Sequence, residues 1–205
     1  MNKINNYTPK EIYWLSFNDR VLQEATDPEN PIIERLKFLG IYSNNQDEFF
    51  RVRVATLKRL SKMHINFSEI LGANPAEILE IIHTRVKNNR GKVENALHLA
   101  KQELEANNVF FVNENQIPNE HIGFIKEYFY KQVRPLLMPI ILDEKSKIPE
   151  IKDDAVYFAV KMKCTSSDRV QYALVKIPSN RISRFVVLPE INGKKYIMLI
   201  DDVIR

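Results

Sequence analysis

Glycine and cysteine are scarce in this sequence, and their scarcity removes several kinds of chemistry before any motif is read. The five glycines stand alone at positions 40, 72, 91, 123 and 193, so neither a phosphate-cradling P-loop nor a dinucleotide fingerprint can be assembled. The single cysteine, Cys164, excludes an intramolecular disulfide and a thiolate zinc site, and it fits a reducing compartment. No stretch approaches the roughly 18 apolar residues of a membrane span, and the opening residues, MNKINN, lack the apolar core of a signal peptide. A cytoplasmic protein without a membrane span is therefore expected. The four histidines, at 64, 83, 98 and 121, form neither HxxxH nor HExxH. Each reads as an ordinary surface or core side chain, and no metal site is expected. No Gly-x-Ser-x-Gly elbow occurs. Charge of one sign is also in short supply. A formal +4 suits anionic ligands but falls short of a nucleic-acid-binding signature, so no nucleic-acid partner is expected.

What remains is the composition of a soluble folded protein, 44% hydrophobic and 27% charged, long enough at 205 residues for two domains. The fold class expected is α+β: an all-helical amino-terminal domain over residues 1–107, then a mixed α+β domain with an antiparallel sheet over residues 108–205. Three helix starts punctuate the first domain. Thr8-Pro9-Lys10-Glu11 and Asn74-Pro75-Ala76-Glu77 have capping-box form with proline at the first helical position, and Asn30-Pro31 is a simpler start of the same kind. After Asn74 the apolar positions 78, 82, 86, 93, 97, 100 and 104 predict one amphipathic helix of roughly 30 residues, with Gly91 tolerated inside it. Residues 30–63 are helical in pattern, with an interruption expected at the polar run Tyr42-Ser43-Asn44-Asn45-Gln46-Asp47.

Beyond residue 107 the texture changes. A short apolar run, Val109-Phe110-Phe111-Val112, precedes a helix over about 118–133 that Pro135 and Pro139 end. From Val156 the period becomes two, predicting strands over 156–164, 170–177, 185–188 and 196–200, the last pair joined through Asn192-Gly193, a hairpin dipeptide. The closing Asp201-Asp202-Val203-Ile204-Arg205 reads as the acidic first turn of a further helix, so the sequence is expected to be a piece of a longer chain.

Two features stand above background as chemistry. Residues 51–62 carry Arg51, Arg53, Lys58, Arg59 and Lys62 and no acid, and on an α-helix Arg51, Lys58 and Lys62 share a face. That face either lines a path for a polyanion or is simply solvated. The other is Asn45, three residues before Glu48. It either caps a second helical segment or, at a helix junction, offers an amide that can donate to and accept from a nucleotide. The adjacent acids Asp47-Glu48 and Asp153-Asp154 diverge by about 100° on a helix and read as surface charge.

These same residues carry a family resemblance. Residues 13–25 (YWLSFNDRVLQEA), 31–39 (PIIERLKFL) and 40–53 (GIYSNNQDEFFRVR) closely resemble the amino terminus of polyphosphate kinase of the phosphohistidine type. Lys152-Asp153-Asp154, residues 172–179 (YALVKIPS) and residues 184–189 (RFVVLP) are similar to its second, head domain. The resemblance runs in order along essentially the whole chain. It implies a cytoplasmic bacterial transferase that reversibly moves the terminal phosphate of ATP onto inorganic polyphosphate through a phosphohistidine, aided by Mg2+. It further implies a homodimer or higher oligomer assembled through the head domain. The family's catalytic histidines and metal-binding arginines map to nothing here, so no catalytic residue, no Mg2+ ligand and no activity are expected of this chain alone. One nucleotide contact does map, the second asparagine of Ser-Asn-Asn, which is Asn45. Where the family pattern has leucine this chain has Gln46, beside an intact asparagine pair. The alternative from a different class is a non-catalytic assembly module with no ligand of its own.

Overall fold

The computed structural model describes residues 8–63, 65, 68–142, 149–153, 155–163 and 170–205; His64, Asp154, Cys164 and the loop 165–169 lie outside the described residues. The chain divides into two compact units, Met1–Leu104 and Glu105–Arg205.

In the first unit the apolar stripe Leu15, Leu22, Ala25 makes α1 (Lys10–Thr26), and an antiparallel-type hairpin leads through Asp27–Asn30 turns to α2 (Ile32–Phe49). A π-helical stretch, Phe50–Val54, then α3 (Ala55–Leu60) continue the helical run, and the short α4 (Ser68–Leu71) precedes α5, Pro75–Ala106. Asn74 caps α5 as its sequence predicts, its Oδ1 accepting the Ala76 N–H at 2.9 Å. Gly91 passes without a break inside the 32-residue helix.

Three sequence expectations change here. The polar run 42–47 does not interrupt helix α2, which runs through it to Phe49. The irregularity falls one turn later, in the π-helical stretch. Neither Pro9 nor Pro31 is the first helical residue. Both keep extended ψ angles, 138° and 143°, and stand at the cap position with no side-chain cap bond. Asn30, expected to cap α2, instead turns its Nδ2 back to the Glu24 carbonyl at 3.0 Å, tying α2's entry to α1's end.

The second unit is mixed α+β. A 3-10 turn at Asn119–His121, α6 (Ile122–Tyr128), a π-helical stretch Phe129–Val133 and a 3-10 turn Arg134–Leu136 make one irregular helical segment. The strands form two three-stranded sheets, β1-β6-β5 and β2-β4-β3. In the first sheet β5 (Phe185–Ile191) and β6 (Lys194–Leu199) are antiparallel, and Asn192 and Gly193, with φ of 52° and 75°, supply the two positive φ angles that a type I′ turn requires. The apolar run Val109–Val112, β1, joins β6 in parallel, a pairing that an antiparallel meander does not include. In the second sheet β3 (Tyr157–Lys163) and β2 (Pro139–Leu142) flank β4 (Val170–Lys176), both antiparallel. Strand β2 begins at the proline expected only to end a helix, and Pro139 fits because it starts an edge strand. The final residues do turn helical, as α7 (Ile200–Ile204). The core of this unit gathers Ile125, Val133, Ile177, Val186, Leu188, Met198, Ile200 and Val203.

Candidate functional site

Helices α1, α2 and α5 bury two separate apolar clusters. One holds Leu15, Phe49, Val54, Leu57, Ile78 and Ile82; the other holds Leu22, Ala25, Leu39, Tyr42 and Ala96. On each helix the residues between those clusters are polar: Ser16, Asn18 and Asp19 on α1, Asn45 and Gln46 on α2, Arg85 and Asn89 on α5. They meet in a belt of hydrogen bonds across the three helices.

Asn18, 1% exposed, is the centre of the α1–α2 half. Its Nδ2 donates to the Tyr42 carbonyl at 3.2 Å and to Gln46 Oε1 at 3.4 Å, and its Oδ1 accepts from Asn45 Nδ2 at 3.1 Å. Asp19 centres the α1–α5 half, accepting from Asn89 Nδ2 at 2.6 Å and from Arg85 Nε at 2.8 Å, while Arg85 Nη2 donates to Ser16 Oγ at 3.0 Å. The Tyr42 hydroxyl has its pKa raised above the ordinary 10.0. Burial disfavours the phenolate, hydrogen bonding from Asn89 partly offsets this, and the nearby Asp19 carboxylate adds to the rise. Gln46 Nε2 is buried without a partner among the described residues.

Asn45 therefore does not cap a helix. It sits within α2, held by a buried neighbour, and the capping reading is withdrawn. The side chain is half-buried, and its Oδ1 takes no hydrogen bond among the described residues. It borders an open recess of ≈ 300 Å³ lined also by Asn44, Asp47, Glu48 and Arg51. Charge in that recess is not arranged for phosphate. Two carboxylates face one guanidinium, and Arg51 is already paired with Asp47 at 3.2 Å.

The basic run is spread along the π-helical stretch and α3. A π turn adds about one residue per turn, so Arg51 falls out of phase with Lys58, while Lys58 and Lys62 stay in adjacent turns. All three are exposed, and Lys58 and Lys62 pair with no carboxylate among the described residues. Three of the four histidines are described. His83 and His98 are exposed, and buried His121 donates its Nε2 proton to the Pro189 carbonyl at 2.8 Å and meets Tyr196 edge-on. Among the described residues no group of three or more His, Cys, Asp or Glu side chains could hold a metal ion, and no helix is long and apolar enough to cross a membrane.

Sequence reasoning missed Asn18, Asp19, Arg85 and Asn89. The signal was available for two of them. Asn18 continues the stripe Leu15, Leu22, Ala25, and Asn89 continues Ile78, Ile82, Ala96; an amide on an apolar stripe is a buried amide in need of partners.

Comparison with known proteins gives two family models, the polyphosphate kinase N-terminal domain over residues 7–112 and the polyphosphate kinase middle domain over residues 120–205. The polyphosphate kinase of Vibrio cholerae is 41% identical over 206 residues, covering 97% of this chain and 28% of that protein. That of Escherichia coli K12 is 39% identical over 204 residues, covering 97% and 29%. A crystal structure of polyphosphate kinase from Porphyromonas gingivalis superposes with a TM-score of 0.82 at 28% identity, covering 97% of this chain and 29% of that one. The chain thus spans under a third of the length of these relatives.

Proposed function

This chain belongs to the polyphosphate kinase family, and from that premise we propose that it serves as the amino-terminal part of an ATP:polyphosphate phosphotransferase, in which Asn45 contacts the nucleotide. In the complete kinase the terminal phosphoryl group leaves ATP for a histidine, releasing ADP, and then passes from that histidine to the end of a polyphosphate chain. No histidine of this chain is assigned that role.

The observation that carries the reading is the state of the Asn45 amide. One N–H is held from behind by Asn18, and the carbonyl, at the rim of an open recess, has no partner among the described residues. A recess with two carboxylates repels phosphate at close range, so the amide meets the uncharged part of the nucleotide, its base or ribose. The phosphates lie toward cations elsewhere. Lys58 and Lys62, exposed and without carboxylate partners among the described residues, are the side chains of this chain we assign to polyanion contact, and Arg51, tied to Asp47, contributes less.

The test is the complete kinase with Asn45→Ala. The expected result is a KM for ATP raised about fivefold, the worth of one neutral hydrogen bond, with the KM for polyphosphate unchanged. A wild-type KM for ATP would overturn the reading. The 205-residue chain by itself is expected to show no ATP-dependent polyphosphate synthesis.

Assembly is a second role with its own observation. In the β2-β4-β3 sheet the strand register puts Ile140, Val170 and Tyr172 on the face opposite to that of the buried Ala173, and all three stay exposed, with Met138 just before the sheet at 75%. Sheet faces this apolar are usually covered, and we propose that a second copy of the protein covers this one. Sedimentation should show self-association that Tyr172→Glu weakens; a monomer at all concentrations would remove the proposal.

A further inference from the structure

We propose that Asn18 is a positioning residue for Asn45, and that through it the backbone carbonyl of Tyr42 decides which atoms of the Asn45 amide face the nucleotide. The inference rests on Asn45 being the ATP contact and deepens that reading into a basis for base selectivity.

The argument runs from the backbone outward. The Tyr42 carbonyl can only accept, so the Asn18 atom 3.2 Å from it is the amide nitrogen. Gln46 Oε1 at 3.4 Å accepts from the same nitrogen. The opposite atom of Asn18 is then its oxygen, which also can only accept, so the Asn45 atom 3.1 Å away is nitrogen. Each amide has two ways to sit by shape alone, but flipping Asn45 would set two oxygens against each other at that distance. Asn18 is 1% exposed, which leaves no room for water to repair the mismatch. The orientation of a side chain at the surface is thereby written in the backbone of the helix that carries it.

The consequence is a defined pattern at the recess. Asn45 offers its carbonyl oxygen together with its remaining N–H, an acceptor beside a donor. That pair complements the adenine edge, where the exocyclic amine donates and a ring nitrogen accepts; the matching edge of guanine presents two acceptors. An Asn45 free to flip would offer either order and lose that preference.

The experiment measures KM for ATP and for GTP in the complete kinase carrying Asn18→Ala, Asn18→Asp, Asn89→Ala and Asn45→Ala. Asn18→Ala removes the oxygen that holds Asn45, and the ATP-over-GTP preference should fall about fivefold with kcat for ATP retained. Asn18→Asp still places an oxygen against Asn45 while setting its other oxygen against the Tyr42 carbonyl, so it should lower stability and keep the preference within about twofold of wild type. Asn89→Ala weakens the same belt at the Asp19 side without touching Asn45. It should lower stability and leave the preference alone, which separates positioning from simple loosening. If Asn45→Ala raises KM for ATP while Asn18→Ala keeps the wild-type preference, the positioning role is overturned and the nucleotide contact stands. If Asn45→Ala changes nothing, the nucleotide contact is wrong and the inference falls with it. An Asn89→Ala enzyme that loses the preference as Asn18→Ala does would also overturn it.

Discussion

In the helical unit the apolar core is cut in two by a layer of amides and charges, whereas in the α+β unit one continuous cluster joins helix and strands. The buried polar side chains described in the helical unit are Glu11, Asn18, Arg35 and Asn89; in the α+β unit His121 stands alone. Arg35 is paired with Glu103 and still leaves its Nε without a partner among the described residues. A polar layer is an expensive way to join three helices, because every buried donor and acceptor must be matched and each failure costs about 1–3 kcal/mol. Apolar residues at the same positions would pack in almost any register. The belt therefore trades stability for register and for a fixed amide at the surface, and the α+β unit, with no such surface group to hold, keeps an uninterrupted core.

The comparison breaks first where it is most exposed to measurement. If the α+β unit depends on one cluster, truncating its centre should be the most damaging change in either unit. Met198, fully buried, pairs with Val112 and Val186 across both neighbouring strands, and Met198→Ala should cost about 3 kcal/mol. Amide exchange should speed up throughout β1, β5 and β6. Loss confined to β6 alone would mean the cluster is not continuous.

In the helical unit the corresponding cut is polar. Asp19→Ala removes the acceptor shared by Arg85 and Asn89 and leaves a partly buried guanidinium without its ion pair. We expect a loss of about 2 kcal/mol, read by denaturant unfolding, with Asp19→Asn recovering part of it. A change below about 0.5 kcal/mol, the ordinary surface range, would show that the belt is solvated and that the two units differ less than their burial suggests.

The belt is also the part of the molecule least legible in the sequence. Periodicity found α5 because seven apolar positions keep its phase for about seven turns, and the Asn192-Gly193 turn was legible because it needs only two residues with positive φ. Capping signals transferred poorly. Asn30 has the right chemistry to cap α2, but the end of α1 lies within reach and takes its side chain instead. The same limit hid the site. Asn45 was singled out by its motif with a helix cap as one of two readings, since a polar run looks like a break unless the buried partner on another helix is known. That partner, Asn18, is 27 residues away, and no local pattern links the two. The parallel β1–β6 pair was missed for a related reason: it joins residues 109–112 to 195–198, a separation that alternation within a strand does not encode.

A smaller effect separates the units by pH. The Tyr42 pKa is raised in the folded state, so the folded protein holds that proton more tightly than the unfolded chain does. Stability from this source is intact below pH 10.0 and is lost as pH climbs through the folded value. Stability of the helical unit should therefore decline above about pH 10, and Tyr42→Phe should flatten that decline relative to wild type. Identical slopes would mean the hydroxyl is not effectively buried.

The smallest expected effect is the sharpest test of what the belt is for. Gln46 Nε2 is buried without a partner among the described residues, and its Oε1 receives only the 3.4 Å contact from Asn18, whose Nδ2 also serves the Tyr42 carbonyl at 3.2 Å. Gln46→Leu gives up that long hydrogen bond and removes the orphaned donor, and the new side chain, four residues after Tyr42 on α2, lies on the helix face that Tyr42 shares. Relief of the donor and the added apolar burial should outweigh the lost bond, leaving a net gain of about 0.5 kcal/mol. Asn18 keeps its stronger contact to the backbone carbonyl, so Asn45 should hold its orientation and the ATP preference should persist. A gain in stability with selectivity unchanged would show that only the Tyr42–Asn18–Asn45 line carries the positioning, and that the belt holds more polar groups than the site requires. A loss of about 1 kcal/mol or more would show instead that Gln46 is an integral member, and that the helical unit's polar layer is stabilised as a network rather than tolerated for what it holds in place.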